Sequence, residues 1–313
     1  MNLVDLHCDT ILQLMDQDSG AELRRNHFHV DLEKMRRADS LAQVFALFVN
    51  LEKTANPWER YQQMADCFYR ELDKNQDEIS FAGSYEEIIH NQRQGKMSAL
   101  LAIEEGGVLQ GSMEKLHQVY ERGVRLLTLT WNYPNEIGFP NCRTECQRQG
   151  LTSFGHDAVA EMNRLGMIID VSHLSDQGFY DVAHGSSRPF VASHSNARTV
   201  WDHTRNLNDD MLRLLAEKGG VTGLNFCAGF LGSASLSRVE DMVRHLWHIR
   251  NVGGMDVLAI GTDFDGIEPK LEINDMGEMD KLVTALQRQG FSTTETEKIF
   301  SGNALRVLRD VLR

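Results

Sequence analysis

The sequence predicts an α/β chain folded as a (β/α)8 barrel of the TIM type, with extra helices at its C-terminal end. Three observations carry this. Short apolar or β-branched runs recur at about 3–7, 43–49, 99–104, 124–130, 167–171, 190–193, 220–226 and 257–261. Stretches of helical periodicity lie between most of them. No low-complexity, Pro-rich or charged linker interrupts the alternation, so residues 1–313 read as a single domain. Eight strands alternating with helices are the pattern of a parallel sheet closed on itself. A doubly wound open sheet is the alternative, because periodicity does not show closure.

The elements follow in order. After the first two runs, Tyr61, Met64, Ala65, Phe68 and Leu72 fall on one stripe of a helix spanning 58–72. The third run ends at Gly106-Gly107, where the backbone can turn sharply. Beyond the fourth, the segment 132–152 holds Pro134, Gly138, Pro140 and Gly150 and reads as a long loop over the strand ends. Met211, Leu214 and Leu215 mark a helix after the sixth run. Val239, Met242, Val243, Leu246 and Ile249 mark another before the eighth. The stretch 272–313 reads as further helices, with Ser292-Thr293-Thr294-Glu295 as a capping box.

Composition narrows the class. With 313 residues, 42% hydrophobic and 25% charged, the chain can bury a large core. No apolar run approaches the roughly 20 residues of a membrane span. A formal net charge of −13 argues against nucleic acid and anionic membranes as partners. Asp5, His7 and Asp9 break the N-terminus too early for a secretory leader, and the C-terminus is amphipathic rather than an anchor signal. Five cysteines, an odd number, then read as reduced thiols in a cytoplasmic protein. Cys142 and Cys146 have no second pair with which to hold a structural zinc.

The chemistry lies where the runs end. His7 and Asp9 are two apart in an extended strand, so both side chains share a face and can grip one cation. The third run ends in Glu104-Glu105, the fifth in Ser172-His173, the sixth in Ser193-His194, and the eighth in Thr262-Asp263. In a barrel these points meet at the rim that carries chemistry. Together they supply a ligand set for two zinc-like ions sharing a carboxylate: His7, Asp9, Glu105, His173, His194 and Asp263. Glu104 and Glu105 compete for one inward position, since strand neighbours face opposite ways. Glu105, beside the glycine pair, is the expected ligand. Asp170 is expected to point away from His173 and to act behind the ligands at most. Asp265 is expected to be a turn acid.

These motifs together resemble the membrane (renal) dipeptidase family of binuclear zinc peptidases, within the amidohydrolase-like barrels. His7-x-Asp9, Glu105-Gly106-Gly107, Leu127-Thr128-Leu129-Thr130, Asp170-Val171-Ser172-His173, Ser193-His194-Ser195, Arg205-Asn206 and Asp263-Phe264-Asp265-Gly266 stand in the family's order over nearly the whole chain. The resemblance implies that His7 and Asp9 bind one zinc, His173 and His194 the other, and that Glu105 bridges them and counts, with Asp263, among the catalytic residues. It also implies that Asp263 faces the first zinc and handles protons, and that Arg205 holds the substrate's free carboxylate. Many family members have a histidine after the Leu-Thr-Leu-Thr run, contacting the scissile carbonyl. Here Trp131 stands there, and the amide of Asn132 is expected to donate in its stead.

The expected activity is hydrolysis of dipeptides with a free C-terminal carboxylate, a D-residue being tolerated there. Two Zn2+, or other divalent ions, are the expected cofactors, and a homodimer is the assembly the resemblance implies. A hydroxide shared by the ions would attack the peptide carbonyl, and Asp263 would pass a proton to the leaving amine. Asp9, Glu105, Asp263 and that hydroxide balance two dications, so the neutral centre tolerates a substrate carboxylate paired with Arg205. The alternatives are another amide or lactone hydrolase on the same barrel, or a non-catalytic metal-binding protein.

Overall fold

A computed structural model describes residues 1–16, 20–268 and 270–313. Among these, the predicted runs form strands β1 (Leu3–Cys8), β2 (Ser40–Phe48), β4 (Met97–Glu104), β5 (Val124–Thr128), β6 (Ile168–Asp170), β7 (Val191–Ala192), β8 (Val221–Leu224) and β9 (Leu258–Ile260). One more strand, β3 (Ile79–Phe81), was not signalled by any apolar run. All pairings are parallel. The order runs β1-β2-β4-β5-β6-β7-β8-β9 and returns to β1, where Asp5 lies opposite Ile260. Pairing of β2 with β4 from Ala42 opposite Ser98 to Phe48 opposite Glu104 completes the ring. The open-sheet alternative is therefore excluded. β3 pairs only with Met97, Ser98 and Ala99, the lower part of β4 that β5 does not reach.

Alternation along the strands sorts side chains into two layers. Leu100 and Ala102 of β4 belong to an inner cluster with Val4, Leu6, Val44, Leu126 and Ile168. Leu101 and Ile103 belong to the larger outer cluster under the helices. The C-terminal helix Asn303–Val311 joins the inner cluster through Ala304, Val307, Leu308 and Val311. Asn303 Nδ2 donates 2.8 Å to the carbonyl of Leu258, at the start of β9, so this helix closes the N-terminal end of the barrel. Each such buried valine, leucine or isoleucine side chain is worth about 1.5–3 kcal/mol. The chemistry is thereby confined to the opposite end.

The helices follow the predicted stripes. Pro57–Lys74 starts with the Asn56 side chain accepting from Glu59 N and with Pro57 in its first turn; it buries Tyr61, Met64, Ala65, Phe68 and Leu72. The capping box at Ser292 and Glu295 is formed. The segment 132–152 is irregular apart from one short turn, Thr144–Cys146. It is fastened to the rim, because Asn141 N donates 2.7 Å to the carbonyl of His173.

Candidate metal centre

The C-terminal ends of five strands bring one cluster together. His7 is the penultimate residue of β1 with Asp9 just beyond the strand, and Glu104 is the last residue of β4. His173, His194 and Asp263 stand two or three residues past β6, β7 and β9. His173 and Asp263 have φ of 68° and 62°, a left-handed conformation that costs energy in non-glycine residues and here turns each side chain inward.

Glu104 sits at the middle. Its Oε2 lies 3.4 Å from His7 Nε2, and its Oε1 lies 3.0 Å from His173 Nε2 and 3.5 Å from His194 Nε2. Asp9 Oδ2 is 3.4 Å, and Asp263 Oδ1 3.9 Å, from His7 Nε2. Three overlapping groups could each hold a cation: His7 with Asp9 and Glu104, Glu104 with His173 and His194, and His7 with His194 and Asp263. The two oxygens of Glu104 thus face two different sets of donors.

The donor set fits metal chemistry. Both ring nitrogens of His7 and the Oδ1 of Asp9 are buried without a hydrogen-bond partner, which is costly unless a ligand completes them. The Nε2 atoms of His173 and His194 are only 3.1 Å apart. Behind His194, the Ser193 hydroxyl donates 2.6 Å to Asp170 Oδ2 and lies 2.7 Å from His194 Nδ1. That hydroxyl's one proton is spent on the carboxylate, so His194 donates through Nδ1 and presents a bare lone pair at Nε2. Such support behind a ligand is usual at metal sites. Asn132 Oδ1, 3.2 Å from His173 Nδ1, plays the same part for the other imidazole.

Glu105 is a correction. Its carboxylate does not enter the cluster: it accepts from Gly107 N at 2.7 Å, from Trp131 N at 2.9 Å and from Asn135 Nδ2. The cause is strand alternation. Glu104 shares the inward face of Leu100 and Ala102, whereas Glu105, with φ 117°, has left the strand and turned toward the 131–138 loop. The glycines serve that packing, since a Cβ on Gly106 would lie 2.6 Å from Leu129 O and Ile137 Cδ1. The bridging and catalytic parts expected of Glu105 therefore have no geometric basis, and Glu104 occupies the shared position.

The other expected residues are placed as follows. Asp170 does not line the cavity and also accepts from Ser172 N, Ser193 N and Thr128 Oγ1. Asp265 sits in the turn after β9 and accepts from Thr10 Oγ1 and His29 N. Arg205 is buried: Nη1 donates to Ser195 Oγ at 3.3 Å, Nη2 to His194 O at 3.2 Å, and Nε has no partner. Asn225, unmarked in the sequence because amides are poor metal ligands, donates 2.8 Å from Nδ2 to Asp263 Oδ2. Its position at the end of the seventh run was the one available signal.

Charge in this buried cluster is tightly coupled. Burial pushes Asp263 up to about 7 and Asp9 up to about 6. Burial, helped by the Arg205 charge, takes His173 down to about 4. Burial alone would raise Glu104, but the His7 charge and the close approach of the His173 and His194 imidazoles hold it well below the carboxylate range. The cluster opens into a cavity of about 600 Å³ that also exposes Trp131, Asn132 and Arg205. A surface hollow of about 660 Å³ beside Arg25, Lys34 and Arg37 is slightly larger but holds none of these buried groups.

A family model described as membrane dipeptidase (peptidase family M19) matches residues 1–313. A protein named dipeptidase tcpJ from Claviceps purpurea is 30% identical over 90% of this chain and 69% of its own length. An uncharacterized dipeptidase of Schizosaccharomyces pombe is 31% identical over 89% of this chain and 71% of its own. Among solved structures, a metallopeptidase from Rhodobacter sphaeroides bound to a phosphinate mimic of the dipeptide L-Ala-D-Ala superposes with a TM-score of 0.91 at 26% identity, covering 99% of both chains.

Proposed function

The chain belongs to the membrane dipeptidase family, peptidase family M19, and from that premise we propose a metal-dependent dipeptidase for short peptides with a free C-terminal carboxylate. The observation that carries the reading is Glu104, whose two oxygens address separate donor sets. Two divalent ions, zinc by ligand chemistry, would be held by His7, Asp9 and Asp263 on one side of Glu104 and by His173 and His194 on the other. When bound, such ions lower the pKa of a water and polarise a carbonyl.

This chain's own residues do the rest. Arg205 is a buried cation whose present contacts are a hydroxyl and a backbone carbonyl. A substrate carboxylate fits it in bidentate fashion. Asp263 has one oxygen held by Asn225 and the other directed at the cluster. With its affinity for protons raised by burial, it can take a proton at Oδ1 and return it to the leaving amine. Asn132 keeps Nδ2 for the scissile carbonyl while its Oδ1 engages His173. Tolerance of a C-terminal D-residue is supported by the Rhodobacter sphaeroides neighbour, whose ligand mimics L-Ala-D-Ala. Among the described residues no helix is long and apolar enough to cross a membrane. All five cysteines are free thiols, in keeping with a reducing cytoplasm.

The test is kinetic. Arg205→Met should weaken kcat/KM on L-Ala-D-Ala and L-Ala-L-Ala at least about 100-fold, in line with losing a charge-assisted bidentate pair. C-terminally amidated analogues should lose far less. Equal losses on both would remove Arg205 from this role.

A further inference from the structure

We propose that the cavity selects dipeptides whose first residue, the one giving up its carbonyl, carries an apolar and preferably aromatic side chain, held against Phe48 and Trp131. This rests on the reading that Arg205 anchors the C-terminal carboxylate. The barrel supplies the direction. Phe48 ends β2, and Arg205 follows β7 and donates to the carbonyl of His194. In the closed ring β2 and β7 stand four places apart of eight, which is diametrically opposite. A dipeptide with its carboxylate on Arg205 and its peptide bond over Glu104 therefore points its first residue at the β2 side.

What waits there is apolar and rigid. Phe48 and Trp131 meet edge to face with ring centroids 4.7 Å apart, and both are half-buried at the cavity wall. Leu12 and Ile267, also half-buried, line the same cavity. The wall is fixed from behind. Glu105 Oε2 accepts from Trp131 N at 2.9 Å while its other oxygen is held by Gly107 N. This gives Glu105 a positioning role in place of the metal role expected of it. A preformed aromatic wall binds an apolar group with little ordering cost. An acidic first residue would instead meet Glu268, which lines the cavity next to Ile267.

The test compares kcat/KM of the metal-loaded enzyme on Phe-Ala, Leu-Ala, Gly-Ala and Asp-Ala. Wild type should prefer Phe-Ala to Gly-Ala by about 10- to 100-fold, with Asp-Ala poorest. Phe48→Ala should shrink the Phe-Ala to Gly-Ala ratio about tenfold, and the milder Phe48→Leu should shrink it less. A wild-type panel that is flat, or that favours Gly-Ala or Asp-Ala, overturns the proposal without any variant having to fold. So does an equal loss on all four substrates in both variants. Cleavage of none of them by wild type overturns the dipeptidase reading itself, and this inference with it.

Discussion

Two adjacent carboxylates allow a sharp experiment. Glu104→Gln keeps shape and removes one charge facing both donor sets, whereas Glu105→Gln removes a charge that faces the 131–138 loop. The Glu104 oxygens lie 3.0–3.5 Å from three imidazole nitrogens, so a cation seated among them would be no farther away than that. At an effective dielectric of about 20, unit charges about 3.4 Å apart interact by about 5 kcal/mol. Losing that term corresponds to at least about 10³-fold in affinity. Titration of the chelator-stripped protein with zinc, read by calorimetry or by competition with a chromophoric chelator, should show two tight equivalents for wild type and for Glu105→Gln. Glu104→Gln should hold one at most. Two tight equivalents in Glu104→Gln, or their loss in Glu105→Gln alone, would refute the assignment of the shared position.

Three further outcomes follow from the same geometry. Asp263→Asn, assayed with zinc high enough to fill both positions, should lose turnover at least about 100-fold, because the proton carrier is gone; near-normal turnover would exclude that role. Asp170→Asn should weaken zinc binding about 10- to 100-fold by freeing the Ser193 hydroxyl from its orientation toward His194, measured by the same competition titration; unchanged affinity would sever that link. His245 is buried and neutral, accepting from Ala197 N and lying within hydrogen-bond distance of Leu231 O, and burial takes its pKa down to about 4. Its folded pKa lies below its unfolded one, so its contribution is complete above about pH 6.5 and is lost as pH falls toward 4. Urea unfolding between pH 7 and 5 should show a declining stability, and His245→Gln should flatten that slope; an identical slope would discount His245.

Much of this molecule was legible in the sequence, for physical reasons. Runs such as Ala99 to Ile103 are apolar on both faces, because one face packs inside the barrel and the other under helices. β3 was missed because three residues, Ile79-Ser80-Phe81, hold too little pattern and pair only with the lower part of β4. Closure was not legible either: it depends on β1 meeting β9, the first strand with the last, a pairing that no local pattern encodes. At the rim, His7, Asp9, His173, His194 and Asp263 could be anticipated to converge, since each ends or follows a run. The choice between Glu104 and Glu105 turned on a single step of strand phase. The phase was present in the chain, with Leu100, Ala102 and Glu104 in one alternation, but the glycine pair drew weight to the wrong neighbour. Glu105 proves to hold Trp131, a contact across 26 positions that no local pattern encodes.

A dinuclear centre divided by Glu104 underlies every role assigned above. Anomalous diffraction at the zinc edge from crystals of the metal-loaded protein would locate the ions. Two strong peaks are expected, one between Glu104 and the pair His7 and Asp9, the other between Glu104 and the pair His173 and His194. A single peak, or density centred on Glu105, would contradict a divided centre.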